Sequence, residues 1–141
     1  MKVIDPLPQY EGQFITSDEL LDFIKKADQS GCVDSENRPL LTILDLRNEN
    51  FLSKQAAMPS IETRCKTIAA LLDDLPNPEI RQQIPRQGMV VTVTETGNRD
   101  IFVMKYLYKF GHKNIKGLRF GMRGWIKLDY PVIYGKRTDH E

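Results

Sequence analysis

An α/β fold, with a small central parallel sheet and helices on both faces, is what this sequence predicts, and three observations carry the prediction. The runs 40–46 (Leu-Leu-Thr-Ile-Leu-Asp-Leu) and 89–94 (Met-Val-Val-Thr-Val-Thr) are almost continuously apolar or β-branched. Such runs suit strands buried on both faces of a parallel sheet. Segments with helical spacing of apolar residues alternate with them. The second run then passes directly into a loop carrying Gly97 and Arg99, followed by a helix. In that order of elements, backbone N–H groups can converge on an anion.

The elements follow in chain order. Ser17, followed by Asp18, Glu19, Leu20, Leu21, Phe23 and Ile24, reads as a capped helix with acids in its first turn. Residues 28–38 are polar and turn-like, which puts Cys32 in a surface loop. Residues 60–75 predict a second long helix, with Ile61, Cys65, Ile68, Leu71 and Leu72 on one side and Pro76 after its end. Residues 78–84 suggest a short helical piece. Residues 100–110 predict a helix that is apolar on most sides and therefore buried, with Lys105 and Lys109 at its wet edge and Gly111 ending it. A strand near 114–118, Trp125 on a last helical turn and the segment Pro131-Val132-Ile133 complete the chain.

The 141 residues suit one domain, 1–141, with a core at about 12–134 and loose ends. Lys and Arg total 20 against 19 Asp and Glu, so nothing global calls for nucleic acid or a membrane. No apolar stretch approaches the roughly 18–20 residues that span a bilayer. Asp5, Pro6 and Pro8 do not read as a signal peptide. Cytoplasm is the default expectation, although the chain could be a domain cut from a longer exported protein. Cys32 and Cys65 have no metal-ligand spacing, so neither metal nor cofactor is expected, and two cysteines do not suggest a disulfide framework. The charge is nevertheless uneven. Asp5, Glu11, Asp18, Glu19, Asp22 and Asp28 make the start acidic, whereas Lys105, Lys109, Lys113, Lys116, Arg119, Arg123 and Lys127 make the end basic. Solvated edges account for such lysines; a site for an acidic partner is the functional reading.

In its order of motifs the chain resembles the rhodanese family of single-domain sulfurtransferases. The pieces are the helix entry Ile15-Thr16-Ser17-Asp18-Glu19-Leu20-Leu21, Leu44-Asp45-Leu46-Arg47, Met58-Pro59-Ser60, and the strand Val90-Val91-Thr92-Val93 into the 94–99 loop. Lys113-Asn114-Ile115-Lys116-Gly117-Leu118 follows, and then Gly121-Met122-Arg123-Gly124-Trp125 with Tyr130-Pro131-Val132. The resemblance implies a rhodanese-like fold and a loop that in the family carries a persulfide on its first residue, a cysteine.

Departures from the family pattern cluster at that loop. Thr94 occupies the cysteine's position, ahead of Glu95, Thr96, Gly97, Asn98 and Arg99. Asp100 stands where the family has Ser or Thr, Ala56-Ala57 where it has Gly-His, and Phe120 replaces a glycine of the closing motif. His112 lies beyond the following helix, roughly 15–18 Å from the loop at helical rise, too far to act as a base; His140 is in the tail. Asp100 reads as a helix N-terminal acid. At the mouth of the amide cradle its carboxylate would compete with thiosulfate, sulfate or phosphate, and with Thr94 it would satisfy the loop's own N–H groups. Arg99 reads either as an anion ligand, as in the related loops of phosphatases, or as a structural arginine paired with Asp45 or Asp100.

Asp45 with Arg47 reads as a strand-end anchor, Trp125 as a core or lid residue, and Cys65 as an inert core residue on the inner face of its helix. The function expected is a catalytically inactive rhodanese-like binding or regulatory module. Arg99, Asp100, Arg119 and Arg123, with Lys116 beside them, would meet an acidic protein or small anion outside the carboxyl ends of the strands. The alternative is a divergent sulfurtransferase working through a displaced cysteine such as Cys65, or through Cys32 or Thr94.

Overall fold

The computed structural model describes residues 13–47 and 59–134. The expectations for the chain ends, Ala56, Ala57, Met58 and His140 lie outside those residues. Strand β1 (Phe14–Ile15) leads into helix α1 (Ser17–Gln29), followed by β2 (Leu41–Asp45), β3 (Ser60–Ile61) and β4 (Lys66–Ala69). A 3-10 turn (Leu72–Asp74), α2 (Pro78–Arg81), β5 (Met89–Val93), α3 (Asp100–Lys109), β6 (Ile115–Leu118), α4 (Gly121–Lys127) and β7 (Val132–Ile133) complete the order. Five strands pair in the order β1-β6-β5-β2-β4, every pair parallel. β3 and β7 form a separate antiparallel pair.

The two central strands divide the core by simple alternation. Leu41 and Ile43 of β2, with Met89, Val91 and Val93 of β5, join Leu20 and Ile24 of α1 and Met122 and Trp125 of α4 on one face. Leu44 and Val90 join Val103, Met104 and Leu107 of α3 on the other. Both faces are therefore covered, as the unalternating apolar runs require.

Three expectations are corrected. The cap of α1 is Thr16 rather than Ser17: the Thr16 side chain accepts from Glu19 N–H at 3.1 Å, and the Glu19 carboxylate accepts from Thr16 N–H at 3.0 Å. Helix α3 is not buried all round. Val103, Met104 and Leu107 face the sheet, but Phe102 is 71 % exposed, because the helix has sheet on one side only.

The predicted helix over 60–75 is instead two short strands and a 3-10 turn. The spacing of Ile61, Cys65 and Ile68 is helical, but tertiary pairing overrides it and sends Cys65 and Ile68 to opposite faces of the sheet. β4 adds to the sheet edge beside β2, with Thr42 opposite Lys66 and Asp45 opposite Ala69. Ile68 then points inward while Lys66 lies exposed at the edge, where a charged side chain discourages further pairing. The Asp28 carboxylate fixes the preceding turn, accepting from Thr63 Oγ1 at 3.0 Å and from Arg64 N–H at 3.1 Å.

The cysteines overturn a fourth expectation. Cys32 is not a surface residue and Cys65 is not on a helix; both are buried and joined by a disulfide across a Cα–Cα distance of 5.3 Å. They lie 33 residues apart, which is why spacing gave no sign of it.

Candidate functional site

β5 ends at Val93, and the 94–99 loop turns across the carboxyl ends of the strands before α3 begins at Asp100. Its shape depends on α4, which docks beneath it: Met122 N–H donates to the Thr94 carbonyl at 2.9 Å and Arg123 N–H to the Glu95 carbonyl at 3.0 Å. Gly121 makes this approach possible. Its φ is +61°, and a Cβ there would overlap the Thr94 carbonyl and come within 2.7 Å of Glu95 backbone atoms.

Thr94 heads the loop and is buried. Its Oγ1 accepts from Gly97 N–H at 3.0 Å, so one amide of the cradle is already used. The hydroxyl proton faces Asp100 Oδ2 at 3.4 Å, while Thr92 Oγ1 donates to Asp100 Oδ1 at 2.8 Å. The expected position of Asp100 at the loop mouth is therefore corrected. Its carboxyl is fully buried beneath the loop and takes hydroxyl rather than loop-amide hydrogen bonds. Burial pushes its pKa up to about 6, against the opposing pull of the hydrogen bonds from Thr92 and Thr94.

Above the loop lies a cavity of about 390 Å³, with Thr94, Glu95, Thr96, Asn98 and Arg99 on one side and Leu72 and Asp73 on the other. Asp73 and Glu95 set two carboxylates against Arg99 at this mouth, and Arg123 leans onto Glu95 at 3.8 Å. Arg99 is exposed and forms no ion pair among the described residues, so pairing with Asp45 or Asp100 is not what holds it. The arginine that binds Asp45 is Arg47, with Nε at 2.9 Å and Nη2 at 2.7 Å in a buried fork at the end of β2. Asp45 and Arg47 thus anchor the strand end.

Beside the cavity, sharing Thr96 with it, a wider groove of about 750 Å³ runs between the start of α1 and the outer side of α4. Arg119, Arg123 and Lys127 line it with Phe120 and Leu128, opposed by Asp18, whose carboxylate accepts from Tyr130 OH. Arg119 also stacks on Phe14 at 5.2 Å. Lys116 lies in β6 and does not line the groove. Phe120 adopts φ +66° and is 68 % exposed, a left-handed backbone that a bulky residue rarely takes. Trp125 is buried, with Nε1 donating to the Pro131 carbonyl at 2.9 Å, and it holds α4 to the segment that enters β7. His112 is buried away from the loop against the Pro85 carbonyl, and burial lowers its pKa.

Asp73, Phe120 and the Asp28–Cys32–Cys65 cluster escape a reading of the sequence. Only the replacement of a motif glycine by Phe120 left a local trace.

No protein-family model matches the sequence, and comparison with curated proteins gives no match. Solved structures do match. A rhodanese-related protein from Thermoplasma volcanium shares 22% identity over 86% of this chain and 97% of its own, with a TM-score of 0.62. A rhodanese-like domain protein from Staphylococcus aureus shares 21% over 80% and 90%, with a TM-score of 0.57. A protein of unknown function from Rhodopseudomonas palustris, named as a possible tyrosine phosphatase, shares 14% over 94% and 98%, with a TM-score of 0.63. The chain therefore has the fold of the rhodanese-related proteins.

Proposed function

We propose that this chain is a rhodanese-like domain silent in sulfur transfer, serving as a binding or regulatory module for an acidic protein partner or a small anion. The observation that carries the reading is the Thr94 hydroxyl at the head of the loop, bonded to Gly97 N–H and turned toward Asp100. Sulfur transfer needs a thiolate that accepts a sulfane sulfur as a persulfide and then releases it. Even with Asp100 taking its proton, a threonine oxygen offers no sulfur for an S–S bond. Asp73 and Glu95 at the mouth offset the charges of Arg47 and Arg99 there, whereas three cations and two apolar side chains in the neighbouring groove favour an acidic protein segment.

A displaced cysteine has less support. Cys65 precedes β4 and Cys32 follows α1, so both sit at the amino-terminal edge of the parallel sheet, while Thr94 follows the carboxyl end of β5. About 15 Å of strand separates the two edges. Among the described residues no helix is long and apolar enough to cross a membrane. On this reading the compartment decides the cysteine state: bridged after export, dithiol in a cytoplasm.

Incubation with thiosulfate and cyanide tests the proposal. The wild type is expected to form no thiocyanate above background and to gain no sulfur by mass spectrometry. Thr94→Cys, given thiosulfate without cyanide, is expected to take up one sulfur atom. Wild-type turnover that disappears in Cys65→Ser would replace this reading with the displaced-cysteine enzyme.

A further inference from the structure

We propose that Asp28, Cys32 and Cys65, once the disulfide is reduced, form a binding site for a thiophilic divalent cation of the zinc type, independent of the loop. Three elements bring the ligands together: the end of α1, the turn after it and the turn before β4. Their donor atoms all lie within 4.8 Å of one another. Asp28 Oδ1 is 3.4 Å from Cys32 Sγ and 3.6 Å from Cys65 Sγ. A tetrahedral ion with bonds of about 2.3 Å to sulfur and about 2.0 Å to oxygen separates S from O by roughly 3.5 Å and S from S by roughly 3.8 Å. Both S–O edges are thus in place, and only the sulfurs need to part.

The carboxylate's position also makes more sense in the reduced state. A disulfide has no proton to give, so the approaches of Asp28 Oδ1 to the two sulfurs are bare contacts here, whereas in the reduced state thiols could donate to it or a cation could bind alongside it. Its orientation does not depend on the bridge, because Thr63 Oγ1 and Arg64 N–H hold the same oxygen. Hydrogen bonds from Cys32 N–H to Ala27 O at 2.8 Å and from Leu40 N–H to Cys32 O at 2.9 Å likewise keep Cys32 in position. The Arg64 guanidinium, 3.4 Å from the Asp28 carbonyl, offsets part of the negative charge that two thiolates and a carboxylate accumulate.

The chemistry balances in two steps. A dithiol reductant breaks the S–S bond, supplying two electrons and two protons, and becomes a disulfide itself. The cation then forms two bonds to sulfur and one to oxygen, the two thiol protons leave to solvent, and water completes the tetrahedron.

The test uses the full chain reduced with dithiothreitol, desalted without oxygen, and titrated with Co2+, with Zn2+ as competitor. One equivalent of Co2+ should bind with thiolate-to-cobalt charge-transfer absorption, be displaced by Zn2+, and fail to bind the oxidised chain. Asp28→Asn keeps the acceptor oxygen for Thr63 and Arg64 but loses the charge, and should weaken binding at least about tenfold. Cys32→Ser should abolish the charge-transfer band and stoichiometric binding. The proposal falls if the disulfide resists the dithiol in the folded protein, if the reduced chain unfolds by circular dichroism, if it takes up no cobalt, or if Asp28→Asn binds equally well.

Discussion

Asp100 is a carboxylic acid buried under a helix start, and its two hydroxyl partners only partly offset the loss of water around it. Its folded pKa of about 6 lies above the ordinary 3.8, so the folded state holds the proton more tightly than the unfolded chain. Stability therefore falls as pH rises between those values and levels off above them, at a cost of about 3 kcal/mol. Asp100→Asn, which keeps the hydrogen-bonding shape, should raise the urea midpoint at pH 7.5, and the gain should vanish near pH 4. Phe120 stores a different strain. With its ring mostly in water, Phe120→Gly should stabilise the fold by about 1 kcal/mol in the same assay by relieving the left-handed backbone, while weakening the groove.

The loop and α4 meet through two backbone hydrogen bonds, so a single change at that junction should be felt. Gly121→Ala places a methyl group against the Thr94 and Glu95 backbone at positive φ. Thermal unfolding should report a loss of about 2–4 kcal/mol, with the loop resonances shifting most. The staple between the α1 turn and β4 closes a loop of 33 residues, worth about 4 kcal/mol on chain-entropy grounds. Reduction should lower the unfolding free energy read from denaturant titration by that amount without abolishing folding, since domains have about 5–15 kcal/mol to lose from. A bound cation should return part of it.

Across the whole molecule, the sheet has two chemically different ends. Its carboxyl edge carries the Thr94 loop and the basic groove; its amino edge carries the cysteines. A fluorescent peptide with glutamates flanking a leucine should bind the groove, and its anisotropy should fall steeply as salt rises. Arg119→Glu with Arg123→Glu should weaken it at least about tenfold. Undiminished binding would remove the groove from the proposed function.

By itself the sequence determined the central strands, the flanking helices and the threonine-headed loop, because burial on both sheet faces and helical periodicity are written in neighbouring residues. β2, β5 and α1 follow from local patterns to within a residue or two. Tertiary structure decided the rest. Residues 66–69 became sheet edge because β2 offered a pairing partner, Asp100 sank beneath the loop where Thr92, Thr94 and Gly117 of β6 meet it, and Cys32 met Cys65 because the fold returns the chain to the end of α1. Each of these outcomes is set by a residue distant in sequence, which local spacing cannot encode.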